Sequence, residues 1–207
     1  PARLLSSVQP LLLPHLRALG MYWRQTERRN GKLWDVISEA PMSTEFAISR
    51  FLAPYLARFY GPILFVDSDV MFRSDVRGLF DLWDPTKAVQ VVKHDYMPPE
   101  TIKMDGQPQT QYARKNWSSV MLFSAGHPAN GALTPEFVND TTGRDLHRFC
   151  WLDDDEIGEL PESWNWLEGH SDPAINPDLV HYTRGTPNLE PYRHAPYAEE
   201  WRRYGHG

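Results

Sequence analysis

The 207-residue chain has a single cysteine, no long apolar run and no surplus of positive charge. With only Cys150, an internal disulfide framework and a cysteine-rich zinc site are excluded, so nothing calls for an oxidising compartment and the cytoplasm is the expected location. No stretch approaches the roughly 18 apolar residues that span a bilayer, so the sequence predicts no transmembrane helix and leaves only peripheral contact with a membrane open. The net charge of −6 argues against a nucleic-acid surface. A glycine-rich phosphate loop, an internal repeat and a low-complexity tract are also absent. What is present is ordinary: 41% hydrophobic and 23% charged residues fit one globular domain over 1–207, long enough to bury a core around a mixed α/β sheet. Eight tryptophans within a 13% aromatic fraction suit a dense core or a site that stacks sugar rings.

Along the chain, residues 11–19 carry leucines at helical spacing and stop at Gly20, which predicts a short helix. Residues 24–34, with Arg28, Arg29, Asn30 and Gly31 together, read as an exposed loop. Ser43 and Thr44 precede Phe46, Ile48, Phe51 and Leu52 at i, i+3, i+4 spacing, which predicts a capped amphipathic helix over 43–53 that Pro54 kinks or ends. The runs 62–66 and 119–123 are apolar on almost every residue, as in adjacent strands covered on both faces. A further strand is expected over 88–93, then a loop rich in Pro, Gly and Gln over 96–114, partial helix over 133–147, and irregular chain beyond Pro161.

The chemistry concentrates where the first apolar run stops in Asp67-Ser68-Asp69. Two carboxylates flanking one small residue at the C-terminal end of a buried strand repel each other, and a hard divalent cation relieves that repulsion while keeping positions open for phosphate oxygens. Taken alone the tripeptide is more often a strand-ending turn with Asp as a cap. Lys93, His94 and Asp95 end a second strand on the expected same edge and are site candidates by topology.

Context adds to the motif. Ser43-Thr44-Glu45-Phe46-Ala47-Ile48-Ser49-Arg50-Phe51 followed by Ile63-Leu64-Phe65-Val66-Asp67-Ser68-Asp69-Val70 resembles a block of the family-eight, glycogenin-like retaining glycosyltransferases. Asn116-Trp117-Ser118-Ser119-Val120-Met121-Leu122 looks like that family's Asn-Ser-Gly-Val strand, and Asp153-Asp154-Asp155 like its Asp-Gln-Asp segment. Leu160-Pro161-Glu162-Ser163-Trp164-Asn165 looks like Leu-Pro-x-x-Trp-Asn, and His181-Tyr182-Thr183-Arg184-Gly185 like the C-terminal His-Tyr-x-Gly block. Five ordered motifs span 43 to about 188.

The resemblance implies a GT-A fold and transfer of a sugar from a nucleoside diphosphate, UDP above all, to a carbohydrate or lipid-linked acceptor. It implies a cation, manganese first and magnesium next, held by Asp67, Asp69 and His181. Arg50, Ser68, Asn116, Arg184 and Gly185 fall in the donor-binding set, with Lys93 beside them. Asp154 stands at the family's Gln position near the anomeric carbon, with Asp153 and Asp155 toward the sugar hydroxyls. In the implied front-face mechanism the departing diphosphate helps deprotonate the acceptor while Asp154 stabilises positive charge. The bland reading of the acidic run is a solvated loop, and Trp164, with Trp166 and Leu167 nearby, reads as core.

The sequence also departs from the family. Asn116 stands one place early, and Thr186-Pro187-Asn188 replace the family's lysine, leaving Arg184 as the nearby cation. Nothing before Ser43 reads as the Val/Ile-rich strand and Asp-containing turn that hold the nucleotide base, so the first strand and helix are expected to be missing. On that expectation a sheet edge near 63–66 lies open and uridine binding is weak. Two other readings keep the acidic pair: a phospho- or nucleotidyltransferase, against which the missing glycine-rich loop counts, and a sugar- or nucleotide-binding paralogue without turnover.

Overall fold

The computed structural model describes residues 8–94, 114 and 116–204. Leu4, Leu5, Asp95 and almost all of the expected loop over 96–114 lie outside the described residues. In chain order the elements are α1 (Leu13–Ala18), β1 (Thr26–Arg29), β2 (Lys32–Asp35), β3 (Ala40–Pro41), α2 (Ala53–Leu56), β4 (Pro62–Val66), β5 (Val70–Phe72), α3 (Arg77–Phe80) and β6 (Val89–Val91). They continue with β7 (Val120–Ser124), α4 (Pro135–Asp140), α5 (Gly143–His147), β8 (Ile157–Glu159), β9 (Trp166–Leu167), β10 (Leu179–His181) and α6 (Ala198–Arg203). The result is a mixed α/β fold with three small sheets among the described residues.

The central sheet has the order β4-β7-β6-β8, with β7 antiparallel to both neighbours and β6 parallel to β8. The strands β4, β6 and β8 therefore run the same way and release their C-terminal residues at one edge. Alternation explains why β7 is apolar at four positions in a row. Met121 and Phe123 enter a core with Phe51, Leu52, Val89, Val91 and Leu146, while Val120 and Leu122 enter a second core with Leu79, Leu160, Trp164 and Leu179. Burying both faces leaves no polar side. The outer strand β4 uses the same alternation, Ile63 and Phe65 against Leu64 and Val66, but all five of its residues are only half-buried because it pairs on one side alone. The open edge expected near 63–66 is thus present among the described residues, and β4 is less covered than its composition predicts.

Two local expectations need correction. Residues 24–34 form not a loop but the hairpin β1–β2, turned by Asn30 (φ 52°) and Gly31 (φ 77°), the left-handed pair that a two-residue turn requires. The buried Arg24 secures it, giving two guanidinium nitrogens to Asp35 at 2.7 and 2.6 Å and a third to the carbonyls that end α4. The helix expected over 43–53 is instead a 3-10 turn, Ser49–Leu52, that becomes α-helical at Ala53. Pro54 explains the change, because its ring clashes with the carbonyl four residues back in a continuous helix and is accommodated in a first turn. The strands at 62–66 and 120–124 pair in register as expected, and 133–147 contains α4 and α5.

Candidate active site

The strand β4 ends, yet its direction continues for one more pairing, because Asp67 N donates to Ser119 O at 2.9 Å. Asp67 is thereby held at the sheet edge while the exposed Ser68 turns the chain into β5. The second sheet completes the site. Its central strand β10 pairs antiparallel with β5 so that His181 faces Val70, and Tyr182 N donates to Asp69 O at 2.9 Å. A residue 112 positions away in sequence is locked beside the acidic turn by three ladder pairs.

Asp67, Asp69 and His181 each offer a ligating atom, and these atoms lie within 4.8 Å of one another. Ligands on one cation at roughly 2.0–2.3 Å stand no more than about 4.6 Å apart, so a small inward adjustment makes the three a divalent-cation set. Two carboxylates and an imidazole suit manganese or magnesium better than a soft thiophilic metal. His181 is buried, with Nε2 3.4 Å from Asp69 Oδ1. Burial pushes the Asp67 carboxyl above its ordinary range, and the charge of Arg50 only partly offsets this. Burial works the same way on Asp69, but the neighbouring His181 outweighs it and holds that carboxyl low.

Arg50 reaches the cluster from the 3-10 turn. Its guanidinium forks onto Asp67, Nη2 to Oδ1 at 2.8 Å and Nη1 to Oδ2 at 3.1 Å. It also donates to Ser118 O at 2.8 Å and, through Nε, to Ala47 O at 2.8 Å. Where the resemblance implies a diphosphate contact, the structure commits most of these donors to protein oxygens. Ser118 Oγ in turn meets His147 Nδ1 at 2.7 Å. The buried His147 packs edge-on to Phe51, and burial pushes its pKa down to about 3.

Lys93 and His94 leave β6 at the same edge and line a cavity of about 300 Å³ with Glu159, Leu160, Glu162 and His170. The Lys93 ammonium sits 5.9 Å from the Trp117 ring centre. Burial above all pushes His94 down to about 4, and its Nε2 is buried with no hydrogen-bond partner among the described residues. Topology alone pointed to His94; the orphaned nitrogen is visible only in three dimensions.

The other sequence candidates are placed differently. Asn116 has a left-handed backbone and contributes its carbonyl, which accepts from Ser119 Oγ at 2.7 Å. Arg184 forks onto the buried Glu168, Nε to Oε2 at 2.8 Å, and Glu168 N bonds His181 O. Gly185 (φ 149°) is needed for packing: a Cβ there would stand 2.4 Å from the Tyr192 ring. Asp153, Asp154 and Asp155 are exposed and precede β8, at the end of the strand opposite the edge that carries the triad. Asp153 N bonds the Glu156 carboxylate at 2.9 Å, Asp154 pairs with Arg114, and Asp155 O accepts from Lys87 at 2.7 Å. The structure therefore brings Asp67, Asp69, His181 and Arg50 together and leaves the acidic run outside that cluster. The residue the sequence reading quoted without assigning a role is Asn165, whose Oδ1 lies 3.1 Å from His181 Nδ1.

No family model matches the chain. It is 46% identical over 199 residues to Protein CDI of Arabidopsis thaliana, an alignment covering 94% of this chain and 72% of that protein. Among solved structures it resembles the bifunctional glycosyltransferase WbbM in its apo form, with a TM-score of 0.50 and 18% identity over 82% of this chain and 39% of that one. It also resembles the glycosyltransferase GlyE of Streptococcus pneumoniae TIGR4, with a TM-score of 0.51 and 13% identity over 76% of this chain and 43% of that one. The chain spans about two-fifths of the length of those two structures. With the mixed sheet, the acidic turn at its C-terminal edge and these likenesses in hand, the chain belongs to the family of Protein CDI and has the GT-A fold.

Proposed function

We propose that the protein is a metal-dependent retaining glycosyltransferase of the family-eight type, moving a sugar from a UDP-linked donor to a carbohydrate or lipid-linked acceptor. The observation that carries this reading is the convergence of Asp67, Asp69 and His181 from two different sheets onto one edge, beside a polar cavity. A divalent cation held by these three would supply the Lewis acid that neutralises a leaving diphosphate. The chain's own residues do the rest. Arg50 orients the Asp67 carboxylate, and Arg184, half-exposed and directed by Glu168, stands three residues past His181 on the donor side. Lys93 offers the cavity a cation for donor or acceptor oxygens. Asp153, Asp154 and Asp155 carry no assigned role in this reading: Asp153 and Asp155 make their contacts at the start of β8, and Asp154 is taken up by Arg114, which stands over Trp117.

Titration calorimetry with UDP, with and without Mn²⁺, tests the reading. Binding that requires the cation is expected; binding indifferent to Mn²⁺, or none with it, overturns the proposal. A second reading, nucleotide-sugar binding without turnover, is favoured by the placement of Asp154 away from the triad. Mn²⁺-dependent UDP binding without release of UDP from any of a panel of UDP-sugars would decide for it.

A further inference from the structure

We infer that Asn165 is the positioning residue that fixes the tautomer of His181, keeping the ring proton on Nδ1 and turning the Nε2 lone pair toward Asp69. The inference rests on the metal-site reading for its consequence, but not for its geometry. Asn165 is fully buried, the last residue of the 3-10 turn Glu162–Asn165 that leads into β9, and β9 pairs with the strand carrying His181. The two side chains are thus held by β10 and by the turn that feeds its neighbour β9, with Asn165 Oδ1 3.1 Å from His181 Nδ1.

An asparagine amide can be placed either way round, and which atom faces the imidazole decides the outcome. Here its far side settles the matter. Asn165 Nδ2 donates to Ser119 Oγ at 2.9 Å and points to Asn116 O at 3.4 Å. The Asn116 carbonyl can only accept, and the Ser119 hydroxyl already gives its proton to that carbonyl at 2.7 Å, so both groups need a donor from Asn165. Reversing the amide would set its oxygen against two acceptors. With Oδ1 facing the ring, Nδ1 must carry a proton, because two opposed lone pairs in a buried pocket leave both atoms unsatisfied. Nε2 is left with its lone pair on the side of Asp69 and Asp67, the arrangement a metal ligand requires. On the other side of the ring Asp69 Oδ1 competes for a proton on Nε2, but at 3.4 Å and half-exposed it can be met by water instead, whereas the buried Asn165 Oδ1 has no other donor than Nδ1 among the described residues.

The test reads the ring itself. Long-range ¹⁵N–¹H correlation spectra of the metal-free protein at about pH 8.5, above the ordinary imidazole pKa, report which His181 nitrogen is protonated. A protonated Nδ1 is expected in the wild type. Asn165→Leu should shift the proton to Nε2, where Asp69 accepts it, and weaken Mn²⁺ binding roughly 10–100-fold. Asn165→Asp, which still presents an acceptor to Nδ1 while the Ser119 hydroxyl turns to meet it, should restore the Nδ1 proton. A purely structural role would lower the melting temperature without moving the proton. Nε2 protonation in the wild type, or an Asn165→Leu protein that keeps the Nδ1 proton, overturns the inference. If Asn165→Leu does not fold, the wild-type spectrum and Asn165→Asp still decide. An Nδ1-protonated wild type that binds no Mn²⁺ would refute the metal reading and leave this inference standing.

Discussion

Arg50 and Asp67 meet as a fork and a carboxylate, with Nη2–Oδ1 at 2.8 Å and Nη1–Oδ2 at 3.1 Å, on the rim of a cluster otherwise rich in negative charge. The guanidinium is the fixed partner, since two backbone carbonyls hold it from behind. Both Asp67 oxygens retain a lone pair, so the fork is compatible with a cation and sets the direction from which it is bound.

Removing the fork should therefore be felt twice. Arg50→Ala orphans a carboxylate whose side chain is only 21% exposed, which should cost about 2–3 kcal/mol, toward the low end for a broken buried pair because some water reaches it. Arg50→Lys should recover little of this, because a single ammonium cannot bridge two oxygens and two carbonyls. Thermal melts and Mn²⁺ titration of both variants check it; wild-type stability in Arg50→Ala would show that the fork is idle.

Asp69→Asn and Asp154→Asn should behave oppositely. Losing Asp69 removes a direct ligand and should weaken Mn²⁺ binding and sugar transfer by more than the roughly 100-fold that a lost supporting contact costs. Asp154 is 91% exposed in its pair with Arg114, so Asp154→Asn should change stability by less than about 1 kcal/mol and leave transfer intact. Abolition of transfer by Asp154→Asn, with Mn²⁺ binding retained, would reinstate the role that the resemblance implies.

His147 makes folding sensitive to acid, because its ring loses its hydration in the fold. His147, at about 3, stays neutral in the fold where the unfolded chain binds a proton below its ordinary value of 6.5. The unfolded state thus carries the extra proton between those limits. Stability is fully present above about pH 6.5 and should fall by about 1.4 kcal/mol per pH unit below it, until the folded pKa is reached. His147→Gln, which can still bond Ser118, should flatten that slope in denaturant titrations run from pH 7 to pH 4. An unchanged slope would show that another group carries it.

The open side of β4 should be visible in amide exchange. Its backbone groups that do not face β7 have no partner strand among the described residues, whereas β7 is paired on both sides. Amides of 63–66 directed away from β7 should exchange faster than those of 120–124 by orders of magnitude under native conditions. Equal protection would mean that the edge is covered.

How much of this was legible beforehand depends on the range of the interaction responsible. Local chemistry was readable. An apolar run stopping in Asp67-Ser68-Asp69, a helix stopping at Gly20 and the paired runs at 62–66 and 120–124 follow from alternation and turn preferences within a few residues. The Asn30-Gly31 turn signal is also local, but the polar residues beside it, Arg28 and Arg29, carry no apolar alternation that would mark the flanking strands. Motif order brought His181 to the same site as Asp67 and Asp69, but the register of β10 on β5 is what seats it there. Nothing in the sequence could separate Asp154 from the triad, since three carboxylates in a row look the same at either end of a strand. The parallel pairing of β8 with β6 decides which end they occupy, and the folding of Asn116, Ser119 and Asn165 around one another decides which way a buried amide points at His181. Composition and spacing determine which segments bury their side chains and where charge is stranded. Direction across a sheet and the orientation of a buried polar group depend on partners about 50 residues away or more, and only the packed structure supplies those.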